Sequence, residues 1–219
     1  MNVEELSKYI IEYCKNNKIE KIYICGNSGS GKTTFSKKLR DLALDFGNVN
    51  LFSTDDFMAN ETLKANSVNR WVENGVEYEG RYSSSNEESY FFKNVYELLY
   101  NIDHGVDCYY FPRRYKEKNN IRKLHYKYFL TIIEGVGSAF LEKDKNSLSI
   151  LLRCNKEDQI KRMEYRTKEL KRDSRELYDE KRASQYRVNI LTKEDEFDII
   201  IDNDENFNYN IVKGAVNNE

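Results

Sequence analysis

The stretch Gly26-Asn27-Ser28-Gly29-Ser30-Gly31-Lys32-Thr33-Thr34 constrains this chain more than any other. It satisfies the pattern G-x-x-x-x-G-K-[ST] at every defined position. The apolar run Ile22-Tyr23-Ile24-Cys25 before it reads as a short buried strand. The residues after it, Thr33 to Phe46, predict an amphipathic helix with Phe35, Leu39, Leu42 and Phe46 on one face. Strand, glycine-rich turn and helix N-terminus in that order form the setting in which this pattern holds phosphate. The glycines let the backbone turn its N–H groups inward around phosphate oxygens. The helix aims its positive end and free amides at the same anion. Lys32 is expected to bridge the β- and γ-phosphates, and Thr33 to offer its hydroxyl to Mg²⁺. A plain Gly/Ser turn explains the glycines but not the Lys-Thr that follows them. The expected ligands are therefore a nucleoside triphosphate, written here as ATP, and Mg²⁺.

A chain of 219 residues suits one domain, or a domain with a sizeable insertion. The charged fraction is 33% against 39% apolar, which predicts a soluble protein with a wet surface. The net charge of −2 gives no global electrostatic case for nucleic acid or an acidic membrane. Cys14, Cys25, Cys108 and Cys154 lie far apart without C-x-x-C spacing, so reduced thiols in a cytoplasmic protein are expected rather than disulfides or zinc. Glu4, Glu5 and Lys8 interrupt the N-terminus, which does not read as a signal peptide. No apolar run approaches the roughly 20 residues of a membrane span.

A second strand, Val49 to Ser53, ends in Thr54-Asp55-Asp56-Phe57. Ligands of open α/β sheets sit at the C-terminal ends of strands. Phosphoryl transfer to a hydroxyl needs a carboxylate near the γ-phosphate. Asp55 is the candidate base and a candidate metal ligand; the alternative is a carboxylate that caps the next turn. The clearest buried strand, Tyr128 to Ile133, ends in Glu134-Gly135 and occupies the place of a Walker B element, so Glu134 is the expected metal ligand.

A loop of the form G-N-S-G-S-G-K-T-T followed by a strand ending T-D-D-F resembles the uridine kinase and nicotinamide riboside kinase group, to which phosphoribulokinase and pantothenate kinase are similar. Glu134-Gly135, in place of the commoner aspartate, resembles the same group. The resemblance implies that Asp55, the first aspartate of D-x-F, is the catalytic base close to the metal. It also implies that the segment after Phe57 helps to build the acceptor pocket. Met58 stands where the group often has an aromatic residue. Residues 58–85 show no clear periodicity and include Trp71, Tyr78, Arg81 and Tyr82; they read either as that pocket or as a surface excursion with its own small core. Candidate acceptor-side residues are Asp56, Phe57, Arg81, Tyr82, Tyr110 and Arg113.

Elsewhere, residues 3–16 predict a helix, and Ser84 to Glu88 a helix start, with a helix running to about Asn101 and ended by His104-Gly105. Val106 to Phe111 predicts a strand. The basic run Arg113, Arg114, Lys116, Lys118, Arg122, Lys123 and Lys127, interleaved with Tyr109, Tyr110 and Tyr115, is either a solvated loop or an anion- or nucleic-acid-binding patch. His104 and His125 have no metal-ligand spacing. Asn155-Lys156-Glu157-Asp158 spells the guanine-reading N-K-x-D after another strand at 149–152. No D-x-x-G accompanies it, and Asn155 as a helix cap explains the same letters. Arg162 and Arg166 share a helix face and, with Lys171-Arg172-Asp173-Ser174-Arg175, predict an arginine-rich lid over the phosphoryl group; a salt-bridged helix is the alternative. Arg172-Asp173 looks like the lid of uridine kinases without its following glycine. Phe197 to Asp202 predicts the last strand, and by the resemblance Asn203 to Asn206 border the adenine. A short helix and a polar tail are expected after it.

These readings give a doubly wound, mostly parallel five-stranded α/β sheet of the P-loop NTPase class, with helices on both faces and an arginine-rich lid at about 160–187. The expected whole is one kinase domain over 1–219 with an acceptor-side insertion at 58–127. The expected activity is ATP- and Mg²⁺-dependent phosphoryl transfer to the hydroxyl of a small molecule, a nucleoside or related ribosyl compound. Asp55, Lys32, Arg162 and Arg166 are the expected catalytic residues, and Thr33, Glu134 and Asp55 the expected metal-side residues. Two alternatives stay open: a nucleotide-dependent switch acting on a protein partner, and a kinase of nucleic-acid ends.

Overall fold

The computed structural model describes residues 1–112, 121–168 and 178–214. Its centre is a six-stranded sheet in the order β2-β7-β1-β8-β9-β10. β1 (Lys21–Cys25) and β7 (Leu130–Glu134) are buried along their whole length. That is what parallel strands covered on both faces require, and it is why they read as unbroken apolar runs. β2 (Val49–Ser53), at the edge, alternates buried and half-buried positions. β8 (Ser147–Arg153) and β9 (Ile199–Asn203) extend the parallel sheet on the other side of β1.

Helices cover both faces. α1 (Val3–Asn17) and α2 (Lys32–Ala43) bury Leu6, Ile10, Phe35 and Leu39 against Ile22, Ile24 and Ile132 on one face. α4 (Phe92–Asp103) sets Val95, Leu99 and Ile102 against Tyr23, Phe52 and Ile133 on the other. Beyond it α6 (Glu180–Asn189) and the turn after it pack Tyr186 and Ile190 on Cys25, Leu151 and Ile200. α5 (Lys156–Lys168) follows β8.

Several elements differ from the sequence expectations, each for a local reason. The helix after the glycine-rich loop ends at Ala43; Leu44–Phe46 is a 3₁₀ turn, and Phe46 is half exposed against Phe129 instead of sharing the core face. Residues 58–85 are not a structureless loop. They hold a short helix α3 (Glu61–Ala65) and a hairpin of β3 (Asn69–Glu73) and β4 (Val76–Gly80). Asn74 and Gly75 both have positive φ, 51° and 79°, the backbone that a two-residue hairpin turn demands. The helix expected to start at Ser84 to Glu88 begins only at Phe92. The Asn86 side chain accepts from the Ser83 amide and the Ser89 hydroxyl donates to the Ser83 carbonyl, so these polar groups close a turn. Extended residues then pair with the chain just after the Thr54–Phe57 turn: Met58 and Tyr90 form a bridge, and Phe91 N–H donates to the Phe57 carbonyl.

The strand expected over 106–111 shrinks to β5 (Cys108–Tyr110), which pairs with β6 (Arg122–Leu124) in a ribbon outside the main sheet. The expected C-terminal helix is instead β10 (Tyr209–Lys213), antiparallel to β9, which makes the sheet six-stranded rather than five-stranded. Tyr209 is buried against Phe35, so this strand closes the α2 face. Among the described residues no helix is long and apolar enough to cross a membrane.

Candidate active site

The register of the sheet builds the site. Gly26 follows central β1, and β7 pairs with it so that Ile24 faces Glu134. β2 pairs with β7 so that Ser53 faces the same Glu134. The turn after β2 therefore delivers Asp55 beside Glu134, and both lie next to the loop that follows β1. A 3₁₀ turn over Thr54–Phe57 fixes Asp55; its amide donates to the Ser53 hydroxyl at 3.3 Å.

Two glycines allow this approach. At Gly135, with φ 129°, a Cβ would stand 2.2 Å from the Thr54 Oγ1; at Gly137 it would stand 2.7 Å from two ring carbons of Tyr90. Tyr90 in turn donates to the Ser84 carbonyl at 2.7 Å. Its phenol is pushed well up, by burial first and then by the neighbouring Asp55 carboxylate, so it is a neutral wall of the site. The sequence reading noted Gly135 but gave no role to Gly137 or Tyr90.

The glycine-rich loop has the form that the motif predicts. Gly29 and Gly31 have φ of 83° and 92°. Gly31 is the N-cap of α2 and gives its first turn no side-chain cap, and that turn holds no acidic residue. Uncapped amides and Lys32 at the positive end of a helix are donors suited to an anion. The Lys32 ammonium donates to the Asn27 carbonyl across the loop at 3.2 Å. Asn27 also accepts the Ser28 amide through Oδ1. Thr33 and Thr34 are exposed on the first turn, while Phe35 turns into the core.

The Thr33 hydroxyl lies 3.4 Å from a Glu134 carboxylate oxygen. Burial pushes the Glu134 carboxyl up; Lys32 opposes the rise and Asp55 adds to it. A buried carboxylate held beside a hydroxyl is a hard-oxygen donor pair suited to Mg²⁺. Among the described residues no group of three or more His, Cys, Asp or Glu side chains could hold a metal. An ion here would take its remaining ligands from phosphate and water, as is usual for Mg²⁺. The loop amides, Lys32, Thr33 and Glu134 therefore fit a magnesium–triphosphate.

Arg162 of α5 is less free than a lid residue would need to be. Arg162 donates to the Gly29 carbonyl at 3.0 Å, to Asn203 Oδ1 at 3.4 Å and to the Asp204 carbonyl, and its guanidinium lies 4.6 Å from the Phe207 ring. It ties the glycine-rich loop to the turn between β9 and β10. Arg166 stands one turn further along α5, and Arg172 and Asp173 fall outside the described residues. Asn203, which the sequence placed only near adenine, donates to the Ser30 carbonyl at 2.8 Å. A Cβ on Gly31 would stand 2.6 Å from its Nδ2, so the third glycine of the loop is required by a residue far along the chain. Asn155 is a cap: its Oδ1 accepts the Asp158 amide and its Nδ2 donates to the Asp158 carboxylate, both at 2.8 Å.

On the acceptor side the fold joins three of the six candidates. The Tyr110 hydroxyl donates to Asp56 at 3.1 Å, and the Phe57 ring lies 5.2 Å from that of Tyr110. All three are buried, so they form a wall rather than an open surface. Arg81 and Tyr82 follow β4; Arg81 pairs with Glu61 at 3.4 Å and the Tyr82 amide donates to Ser67. Arg113 lies outside the described residues, as do Arg114, Tyr115, Lys116 and Lys118 of the basic run. Lys123 is paired with Asp107 at 2.6 Å.

A match to the AAA domain family AAA_18 spans residues 22–186, well over half of the chain. The chain belongs to this AAA domain family. Its fold is that of P-loop NTPases. Among solved structures it is similar to a protein provisionally named a fructose transport system kinase, from Silicibacter sp. TM1040. The two share 16% identity over 88% of this chain and 91% of that one, with a TM-score of 0.51. It is also similar to the YGR205w protein, at 17% identity over 94% of each chain and a TM-score of 0.54. No curated protein matches. The matched segment of the AAA domain holds the glycine-rich loop, Asp55, Glu134 and Arg162 together.

Proposed function

We propose that the chain transfers the γ-phosphoryl group of ATP, with Mg²⁺, to a hydroxyl of a small molecule, with a nucleoside or related ribosyl compound as the acceptor class. The observation that carries this reading is the pair of carboxylates at the ends of adjacent strands beside the glycine-rich loop. Glu134 is buried next to Thr33 and suits the metal. Asp55, in the turn above it, suits the acceptor hydroxyl.

In this reading the loop amides and Lys32 bind the β- and γ-phosphates and offset charge as it shifts to the leaving oxygen. Thr33 and Glu134 hold Mg²⁺, which when bound neutralises phosphate charge. Asp55 takes the proton of the acceptor hydroxyl as its oxygen bonds to the γ-phosphorus and the bond to ADP breaks. Arg162 holds the glycine-rich loop in place, and Arg166 is the described lid arginine that would meet the phosphoryl group. Asp56, Phe57 and Tyr110 shape the acceptor side, with Arg81 and Tyr82 at its margin. The kinase named among structures of the same fold agrees with this reading, although that likeness carries the fold alone.

The test is ATP consumption by the purified protein against nucleosides, other small alcohols and short oligonucleotides, beside an Asp55→Asn variant. The expected result is consumption that needs one small acceptor and is lost in the variant. Hydrolysis indifferent to every acceptor would replace the kinase with a switch, and dependence on an oligonucleotide would replace the acceptor class.

A further inference from the structure

The cleft at the C-terminal ends of β8 and β9 runs from the glycine-rich loop toward α6 and is lined by Asn27, Cys154, Asn155, Gln159, Asn203 and Asp204 among others. It is the space beside the phosphate site into which the nucleoside part of a triphosphate would extend. Its polar side chains are mostly engaged with one another. Asn155 is bonded to Asp158 through both its oxygen and its nitrogen. Asn203 is bonded through both ends to Ser30 and Arg162. Asp202 accepts two bonds from Arg153. Asp204 accepts from the amides of Asn206 and Asn208 and from the Asn208 side chain.

Two lining side chains stand apart: the Tyr186 hydroxyl, enclosed and without a partner among the described residues, and Gln159, which alone of the two carries both a donor and an acceptor. Gln159 is 8% exposed, on the first turns of α5, and its carboxamide has no hydrogen-bond partner among the described residues. Its backbone and Cγ are set against the glycine-rich loop: a Cβ on Gly29 would come within 3.3 Å of its carbonyl oxygen and 3.4 Å of its Cγ. The amide atoms themselves are not shut away: the fully enclosed side-chain polar atoms without a partner are those of Ser30, Asn69 and Tyr186, so the Gln159 amide opens on the cleft. It lines the cleft with one donor group and one acceptor that no neighbour uses.

We infer that Gln159 reads the edge of the nucleobase and selects adenine. A carboxamide pairs with adenine in two bonds: its oxygen accepts from the N6 amino group and its nitrogen donates to the adjacent ring nitrogen. The corresponding edge of guanine presents two acceptors, so one bond is lost and the Gln159 oxygen faces the guanine oxygen. Asn155, the residue that the N-K-x-D spelling would assign to guanine, is committed to capping α5 and takes no part. This inference rests on the reading that the glycine-rich loop holds a nucleoside triphosphate.

The test is titration of the full chain, with Mg²⁺, by ATP, GTP and inorganic tripolyphosphate, for the wild type and Gln159→Met. Methionine keeps the unbranched chain packed on Gly29 and removes the amide. The wild type is expected to prefer ATP over GTP by about tenfold, the worth of one bidentate base contact. The variant is expected to lose that preference through weaker ATP binding. Its tripolyphosphate affinity, which reports an intact fold and loop, should be unchanged. A variant that binds ATP as tightly as the wild type overturns the inference alone. So does one that loses ATP and tripolyphosphate alike, because Gln159 then acts only through Gly29. A wild type without preference for ATP overturns adenine selection, and a wild type that binds neither triphosphate removes the nucleotide reading together with it.

Discussion

Replacing Glu134 with Gln should change the stability of this protein in opposite directions depending on whether magnesium–nucleotide is present. Without ligand, the Glu134 carboxylate is buried at the end of β7 with its carboxyl held above the usual carboxylate range by burial. An acid whose folded pKa is raised contributes nothing to stability below its unfolded value, near 4.5, where both states are protonated. As pH rises from there the unfolded chain ionises first, so the folded state loses stability until pH passes the raised value. At neutral pH the wild type carries that penalty and the glutamine variant does not. The gain is of the size that single stabilising substitutions commonly reach, about 0.5–2 kcal/mol. For a chain of this length each kcal/mol moves the melting temperature by about 2–4 °C.

Magnesium–ATP at a hundred times its Kd stabilises the wild type by about 2.7 kcal/mol. At the same conversion that is an upward shift of about 5–11 °C. If removing the metal carboxylate weakens binding about a hundredfold, the variant gains only about 0.4 kcal/mol at the same ligand concentration. The two proteins therefore exchange rank: the variant melts higher when free and lower when liganded. Melts followed by circular dichroism at pH 7 and pH 5, with and without magnesium–ATP, measure both halves, and the free-state gap should narrow at pH 5. A variant that melts below the wild type when free, or is raised as far by ligand, would refute the placement of a buried metal carboxylate at Glu134.

Asp55→Asn should bind magnesium–ATP normally and lose about 10²–10⁴-fold in turnover, read from acceptor-dependent ATP consumption; near-normal turnover removes Asp55 as the base. Gly137→Ala places a methyl 2.7 Å from the Tyr90 ring and 3.0 Å from Thr54 Cβ. It should cost about 1–3 kcal/mol in urea unfolding and lower activity by displacing Asp55 from Glu134. Glu73 accepts from Ser184 and Arg187, which hold its carboxyl below the usual range. The stability it adds should be present above pH 4.5 and fade as pH falls below that. Glu73→Gln should accordingly narrow the gap to the wild type in acid melts, with proteolysis at the hairpin as a second readout.

The candidate phosphate loop was legible in the chain because its parts are contiguous. The glycine-rich loop acts through the backbone of neighbouring residues, and nine letters specify it. Asp55 and Glu134 were legible because each ends an apolar strand, and a covered parallel sheet needs such runs. The hairpin at 69–80 was also written in the chain, as Asn74-Gly75 between Trp71-Val72 and Val76-Tyr78. Its strands are five residues each, too short for a periodicity argument across 58–85 to find them.

Tertiary structure decided what depends on residues distant in sequence. The Trp71 indole donates to Ser184, and Ser184 to Glu73, which docks the hairpin on α6. No local pattern pairs positions more than a hundred residues apart. The start of α4 falls at Phe92 rather than at Ser84 to Glu88, where Ser83, Asn86 and Ser89 hydrogen-bond to one another in a turn. β10 formed where a short helix was expected, with Tyr209 packed on Phe35. By itself the sequence determined which groups can meet a phosphate, since that follows from backbone geometry over a few residues. Which side chains remain free to recognise the rest of the ligand was settled only by folding, which engaged Asn155, Asn203 and Asp204 with neighbours and left the Gln159 amide facing the cleft.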